Sequence, residues 1–175
     1  LTFAATLEDG SPLPQWLSFD PETGRLFGVP SNDDVGILAI RVTASDGAAS
    51  AETHFSLEVE NTNDAPVVWT SPEDVSTRED TRFSVDLSQN FGDVDFFDTL
   101  VFSATLENGD PLPDWLSLNP LTGKLAGVPS NDAVGSIRVT ISASDGSQTV
   151  EDTFTLSVEN TNDGPIVTTD IANQS

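Results

Sequence analysis

Three carboxylates crowd one short stretch of this chain, Phe91-Gly-Asp93-Val-Asp95-Phe-Phe-Asp98. Like charges at such short spacing repel one another, yet the oxygens of the loop that carries them can converge on a cation. Calcium takes about six to eight oxygen ligands, mainly from carboxylates, backbone carbonyls and asparagine side chains. Because the stretch lies between two strand-like segments, these residue types predict a calcium site at the end of a sheet.

Two further groups of oxygen ligands support the same chemistry. The run Asn61-Thr-Asn63-Asp64 precedes the second half of the chain, and Asp145 stands after a strand-like segment and before Gly146. Both groups recur in the other half of the chain, so calcium explains them better than general surface acidity does. Magnesium requires tighter octahedral geometry. Zinc is disfavoured because the chain has one histidine and no cysteine.

The charge balance limits the partners that the chain can have. With 29 acidic and 6 basic residues, the net charge is -23, and such a field repels nucleic-acid phosphates and anionic membrane surfaces. No apolar run approaches the length of a membrane span, so direct membrane insertion is not expected. Because the charge opposes compaction, bound cations would reconcile it with a folded core.

An internal repeat determines the predicted organisation. The segment from Leu1 reappears from Leu100, an offset of 99 residues, and roughly 40 of 68 paired positions are identical. Residues 69–99 have no partner in the first copy. We therefore expect a first domain at 1–64 that lacks its N-terminal strands, a complete domain at 65–163, and the start of a following repeat at 164–175.

Alternating apolar and polar residues predict that both copies are all-β. The pattern occurs in four segments, which are Phe55–Val59, Phe83–Leu87, Ile137–Ile141 and Phe154–Val158. Turn signals such as Asp46-Gly47 and Asp145-Gly146 separate such segments, and no window has helical periodicity with caps. Short strands at this spacing favour tandem Ig-like Greek-key β-sandwiches, with a sandwich barrel as the lesser alternative.

A series of motifs in each copy resembles a known family. In the second copy it comprises Leu-Pro-x-Trp-Leu-Ser at 112–117, Asn-Pro-x-Thr-Gly-x-Leu at 119–125, Gly-x-Pro-x-Asn at 127–131, Val134-Gly, Ala-Ser-Asp-Gly at 143–146 and Asn-Asp-x-Pro at 162–165. This order resembles the dystroglycan-type cadherin-like domain of bacterial surface and secreted proteins. The resemblance covers nearly the whole chain and implies a cadherin-like sandwich in an extracellular or cell-surface protein.

The resemblance also implies roles for the acidic residues, because cadherin repeats bind calcium at domain junctions. Asn61, Asn63 and Asp64 resemble linker ligands. Asp93 and Asp95 resemble the Asp-x-Asp ligands of the following domain, and Asp145 resembles the later aspartate that closes the same site. Glu79 resembles the glutamate that serves the opposite end of the domain, together with Asn160, Asn162 and Asp163.

One segment departs from the cadherin pattern. Classical cadherins carry a Leu-Asp-Arg-Glu segment, where this chain has Gly-x-Pro-Ser-Asn-Asp at 127–132. Because that segment supplies ligands to two of the junction calcium ions in cadherins, we expect one or two ions per junction here rather than three. The first copy also lacks its own Asp-x-Asp, so Asp46 is without its expected partners.

Two functions of different classes remain open at this point. The first is a calcium-rigidified adhesion or spacer module that binds itself or another surface protein. The second is a carbohydrate-binding module beside a polysaccharide-degrading enzyme, in which an exposed tryptophan stacks on sugar. Trp115 more plausibly packs in a sandwich core, whereas Trp69 has no tryptophan counterpart in the other copy. No enzymatic role is expected, because His54 is replaced by Thr153 and no nucleophile or phosphate-loop motif occurs.

Overall fold

The computed structural model describes residues 1–95 and 98–165, which form two β units. Unit 1 comprises residues 1–64 together with Val94 and Asp95, and unit 2 comprises the other described residues, 65–93 and 98–165. The described residues contain no α-helix, only β-strands and three short 3-10 turns. The predicted start of a following repeat, 164–175, lies outside the described residues except for Gly164 and Pro165.

Unit 2 holds nine strands, numbered after the five of unit 1. They are β6 (Val67–Val68), β7 (Val75–Arg78), β8 (Phe83–Asp86), β9 (Phe91–Gly92), β10 (Val101–Leu106), β11 (Leu116–Asn119), β12 (Lys124–Gly127), β13 (Gly135–Ser144) and β14 (Thr149–Glu159). The larger sheet has the order β10-β13-β14-β7, in which β7 runs parallel to β14 and the other pairs are antiparallel. A second sheet has the order β11-β12-β8, and a short pair joins β6 to β9.

The core of unit 2 follows from the alternation in its strands. Side chains point to opposite faces of a strand in turn, so an apolar residue at every second position gives one buried face. In β14 these residues are Phe154, Leu156 and Val158, all of which are buried. Phe154 and Leu156 pack in a cluster with apolar residues from both sheets, among them Phe102, Leu116, Leu125, Val139 and Ile141. Trp115 is half-buried against this cluster, and its ring is tilted by 60° to that of Phe83, with centroids 6.2 Å apart.

Unit 1 repeats part of this arrangement. Its strands are β1 (Thr2–Leu7), β2 (Leu17–Asp20), β3 (Arg25–Gly28), β4 (Gly36–Ser45) and β5 (Ser50–Val59). The larger sheet has the order β1-β4-β5, and β2 pairs with β3. Within the described residues of unit 1 there is no counterpart of β7 or β8. Its buried apolar residues are Leu17 and Ile40, far fewer than in unit 2.

One close approach explains a glycine that both copies share. A β-carbon at Gly127 would lie 2.2 Å from the carbonyl oxygen of Trp115, and one at Gly28 would lie 2.0 Å from that of Trp16. These distances are too short for any side chain at either glycine. The glycine therefore lets the strand pass directly over the tryptophan backbone, which holds each tryptophan at the same place in its unit.

Matched substitutions test the difference between the two cores. Phe154 is 2% exposed, whereas its counterpart Phe55 is 42% exposed. We expect Phe154→Ala to lower the stability of unit 2 by about 3–5 kcal/mol, because it leaves a cavity in a packed core. We expect Phe55→Ala to cost unit 1 less than about 1.5 kcal/mol, because its ring is already partly hydrated. Amide hydrogen exchange resolved by residue measures both, and equal losses would contradict this description of the cores.

Candidate metal centre

Three of the predicted ligands converge in unit 2. One carboxylate oxygen from each of Asp93, Asp98 and Asp145 lies within 4.8 Å of the other two, and these three residues are here called the acidic cluster. Asp93 directly follows β9, Asp145 directly follows β13, and Asp98 precedes β10. The cluster is therefore built at strand ends, and the buried residues Phe91 and Gly92 hold its first member against the core.

A tight turn fixes the backbone beside Asp145. Its Oδ1 accepts hydrogen bonds from the amides of Ser147 and Gln148, both at 2.6 Å. In unit 1 the counterpart Asp46 accepts from Ala48 and Ala49 in the same way, at 2.9 and 2.7 Å. The bond from Ala49, with that from Ala48, holds the pKa of the Asp46 carboxyl below its ordinary value. The turn therefore recurs in both copies. Asp93 and Asp98, by contrast, have no counterparts in the first copy.

Asp95 belongs to unit 1 and is not one of the three residues of the acidic cluster. Its side chain is buried, and its Oδ2 accepts a hydrogen bond of 2.7 Å from the backbone amide of Asp64. The Asp64 carboxylate in turn accepts from Nδ2 of Asn32 at 2.7 Å, and Nδ2 of Asn63 donates to the Asp64 carbonyl at 2.8 Å. Asn61 is exposed. Hydrogen bonds therefore link Asp95, Asp64 and Asn63, and the role of all four predicted ligands in binding metal stays a prediction.

The predicted ligands Asn162 and Asp163 of unit 2 form a hydrogen bond equivalent to that between Asn63 and Asp64 in unit 1. Nδ2 of Asn131 donates to Oδ2 of Asp163 at 2.5 Å, the counterpart of the Asn32–Asp64 bond in unit 1. Nδ2 of Asn162 donates to the Asp163 carbonyl at 3.3 Å. Asn160 is exposed.

Asn32 and Asn131 were not among the predicted ligands. The sequence did signal them, since both stand in the Pro-Ser-Asn-Asp motif that the two copies share.

Glu79 is the most deeply buried charged residue described. It is 1% exposed, its Oε1 accepts from the Thr161 amide, and its Oε2 is buried without a hydrogen-bond partner among the described residues. A buried carboxylate oxygen without a partner is costly unless a donor or a cation reaches it. Glu79 therefore supplies a second place, separate from the acidic cluster, where a cation would be stabilising.

The donor sets fit calcium better than softer metals. Both places offer oxygen atoms, and calcium prefers these in flexible geometry with several carboxylates. The single histidine, His54, lies in unit 1, where its Nδ1 is 3.9 Å from the exposed Glu8 carboxylate. Zinc prefers nitrogen and sulfur ligands, and the chain has one histidine and no cysteine.

Comparison with known proteins identifies the family. The profile of the family described as "Putative Ig domain" matches residues 1–60 and again residues 65–159. The chain belongs to this Ig-domain family. The two matches agree with the all-β fold that the sequence predicts, and the Ig-like part of the predicted fold class is confirmed. Among curated proteins, no match to the chain was found.

Solved structures extend the Ig-domain likeness to cadherins. The human mucin-like protocadherin EC1-2 matches with a TM-score of 0.68 at 18% identity, over 91% of this chain and 85% of that one. The protocadherin gamma B2 extracellular cadherin domains 1–5 match with a TM-score of 0.58 at 16% identity, over 93% and 32%. At these identities the likeness shows the fold alone, so the predicted cadherin-like sandwich is confirmed as a fold.

A third match is to part of an enzyme. An endo-fucoidan hydrolase from glycoside hydrolase family 107 matches at 24% identity over 91% of this chain, with a TM-score of 0.43. The chain spans 24% of the length of that hydrolase. In the part of the Ig-domain chain that the structure describes, no helix has the length and apolar character to cross a bilayer.

Removing one charge from the acidic cluster should change the melting temperature of unit 2 in opposite directions with and without calcium. Two unit charges about 4.8 Å apart repel by about 1–3 kcal/mol near a protein surface. Asp98→Asn should therefore raise the melting temperature of unit 2 in EGTA and lower it in calcium, where the variant loses a ligand. Thermal melts measure both values.

The exposed Asp114 provides a control with the same change of charge. Asp114→Asn should shift the two melts equally. A fall in melting temperature for Asp98→Asn in both conditions would show that the cluster is held by something other than charge.

Proposed function

We propose that these two Ig-like units are a calcium-binding, calcium-rigidified adhesion or spacer module of a large bacterial extracellular or cell-surface protein, of the dystroglycan-type cadherin-like kind. The acidic cluster is the observation that carries the proposal. Three carboxylates held within 4.8 Å by strand ends repel one another, and a divalent cation turns that repulsion into attraction. The partners are calcium and either a second copy or another surface protein.

The connection between the units suits such a role. Only Ala65 and Pro66 separate Asp64 from the start of β6. The ring of Pro66 fixes its own φ and favours an extended Ala65, so few torsions remain free. We infer that calcium bound beside this linker restricts those torsions further. The predicted ligands Asn61, Asn63, Asp64 and Asp95 belong to this part of the proposal.

Carbohydrate binding is the second candidate, and Trp69 favours it. The indole is 64% exposed and lies over Gly92, where an added β-carbon would come within 2.1 Å of the ring. A flat, exposed indole backed by glycine can stack on a sugar ring. A glycan array probed with and without calcium separates the two functions, since saturable binding of one polysaccharide favours this candidate. In neither case do we propose catalysis.

The rigidifying role predicts a change in solution shape. Small-angle X-ray scattering of the whole chain should give a broad distribution of dimensions in EGTA and a narrower one in calcium. Asp95→Ala should keep the broad distribution in calcium, because it removes a carboxylate proposed to act beside the linker.

Two outcomes would count against the proposal. Identical distributions for the wild type in EGTA and in calcium would show that the metal does not stiffen the pair. Narrowing that survives in Asp95→Ala would show that the linker group plays no part. Asp114→Asn is the control and should behave as the wild type does.

A further inference from the structure

One hydrogen bond that both units share has no role yet in the calcium proposal. Nδ2 of Asn32 donates to the Asp64 carboxylate in unit 1, and Nδ2 of Asn131 donates to the Asp163 carboxylate in unit 2. Each bond joins residues 32 positions apart and meets the same oxygen, Oδ2. Both asparagines stand in the Pro-Ser-Asn-Asp motif, where the chain departs from the cadherin pattern. In each unit this motif therefore has a specific partner, and the partner is a predicted calcium ligand.

A short turn holds each asparagine in place. Each begins a 3-10 turn, Asn32–Asp34 in unit 1 and Asn131–Ala133 in unit 2. The carbonyl of the asparagine accepts from the amide of the valine that closes the turn, at 3.3 Å in unit 1 and 3.2 Å in unit 2. Because hydrogen bonding restrains the backbone of the turn, each asparagine presents its side-chain amide at a defined place.

Separate contacts hold the backbone beside each aspartate. In unit 1 the Asp64 amide donates to the buried Asp95 carboxylate at 2.7 Å. In unit 2 the Thr161 amide, two residues before Asp163, donates to Oε1 of the buried Glu79. The backbone of this segment and the carboxylate of its aspartate are thus held by different groups, so the carboxylate can be released without loss of the backbone contact.

The chemistry of the donor suits a carboxylate that must also bind a cation. The side-chain amide of asparagine is neutral and supplies two N–H donors, whereas an ionised carboxylate has about four acceptor sites. One such bond leaves the charge of the carboxylate intact and most of its acceptor sites open. A lysine or arginine in the same place would also hold the carboxylate, but its charge would compete with a bound cation.

We propose that Asn32 and Asn131 are positioning residues, each of which orders the carboxylate of Asp64 or Asp163 through a neutral donor without ligating the cation itself. The bond forms without metal and reduces the ordering that calcium binding must otherwise impose. This inference rests on the proposed function, in which Asp64 and Asp163 ligate calcium. It deepens that function by assigning the residues that hold these two ligands ready.

Amide hydrogen exchange of the whole chain in EGTA, read residue by residue, tests the bond without metal. Asn131→Ala should speed exchange of the Thr161 amide about tenfold, because a hydrogen bond to a charged group is lost and the segment around Asp163 loosens. Exchange at the buried residues Val139 and Leu156 should not change. Unchanged exchange at Thr161, or an equal rise at the two core residues, would overturn the proposal.

Ser130→Ala is the matched control in the same turn. Ser130 is exposed, and its side chain makes no capping hydrogen bond. Exchange of the Thr161 amide should stay within about twofold of the wild-type rate in this variant. An acceleration equal to that of Asn131→Ala would show that any change in the turn loosens the segment, which would overturn a specific role for the asparagine.

The variant Asn131→Asp separates a positioning residue from a ligand. It keeps the size of the side chain but removes the N–H donor and adds a charge beside Asp163. In a calcium titration followed by NMR at the Thr161 amide, Asn131→Asp and Asn131→Ala should both bind at least about fivefold more weakly than the wild type. Tighter binding by Asn131→Asp would show that residue 131 ligates calcium, and wild-type affinity in both variants would show that positioning has no effect. Either result overturns the proposal.

The same two measurements keep this inference distinct from the proposed function. A wild type whose Thr161 signal does not respond to millimolar calcium would contradict the proposed function at this end of unit 2. The exchange rates in EGTA decide on the asparagine bond alone, since no metal takes part in them. Failure of the one is therefore distinguishable from failure of the other.

Discussion

The main constraint on the folded chain is the electrostatic repulsion between carboxylates at its strand ends. The β framework buries apolar side chains such as Phe154 and Leu156 and leaves the strand ends to carry charge. Those ends bring Asp93, Asp98 and Asp145 within 4.8 Å in a chain whose net charge is already -23. Repulsion of this kind opposes the packing that creates it, and a calcium ion is the simplest neutralising agent for a set of oxygen ligands. In the proposed function, calcium neutralises these carboxylates and thereby stiffens the module.

The two units share their polar contacts but differ in their cores. The Asn32–Asp64 and Asn131–Asp163 bonds occupy equivalent positions, and so do the turns closed by Asp46 and Asp145. The turns are local, whereas each Asn–Asp bond joins residues 32 positions apart, and both kinds of contact are present in both copies. The cores depend on β7 and β8, which unit 1 does not contain among its described residues. Unit 1 accordingly buries fewer apolar side chains than unit 2.

Much of this could be predicted from sequence, and the remainder depends on pairing between distant segments. Alternation placed strands over Phe154–Val158 and Ile137–Ile141, since it reports which face is buried, and both segments lie inside longer strands. Residue types and spacing identified Asp93, Asp95 and Asp98 as candidate ligands, and its position at a strand end added Asp145. The hydrogen bond from the Asp64 amide to the buried Asp95 carboxylate joins residues 31 positions apart and could not be predicted from spacing. The parallel pairing of β7 with β14 joins residues about eighty positions apart, which no local pattern reveals.

Calorimetric titration of calcium into the whole chain tests the central claim most directly. The wild type should bind calcium saturably, and magnesium much more weakly because of its stricter geometry. The double variant Asp93→Asn and Asp98→Asn should lose at least about tenfold in affinity at the acidic cluster. The account is contradicted if the wild type shows no saturable binding at millimolar calcium, or if the double variant binds as the wild type does.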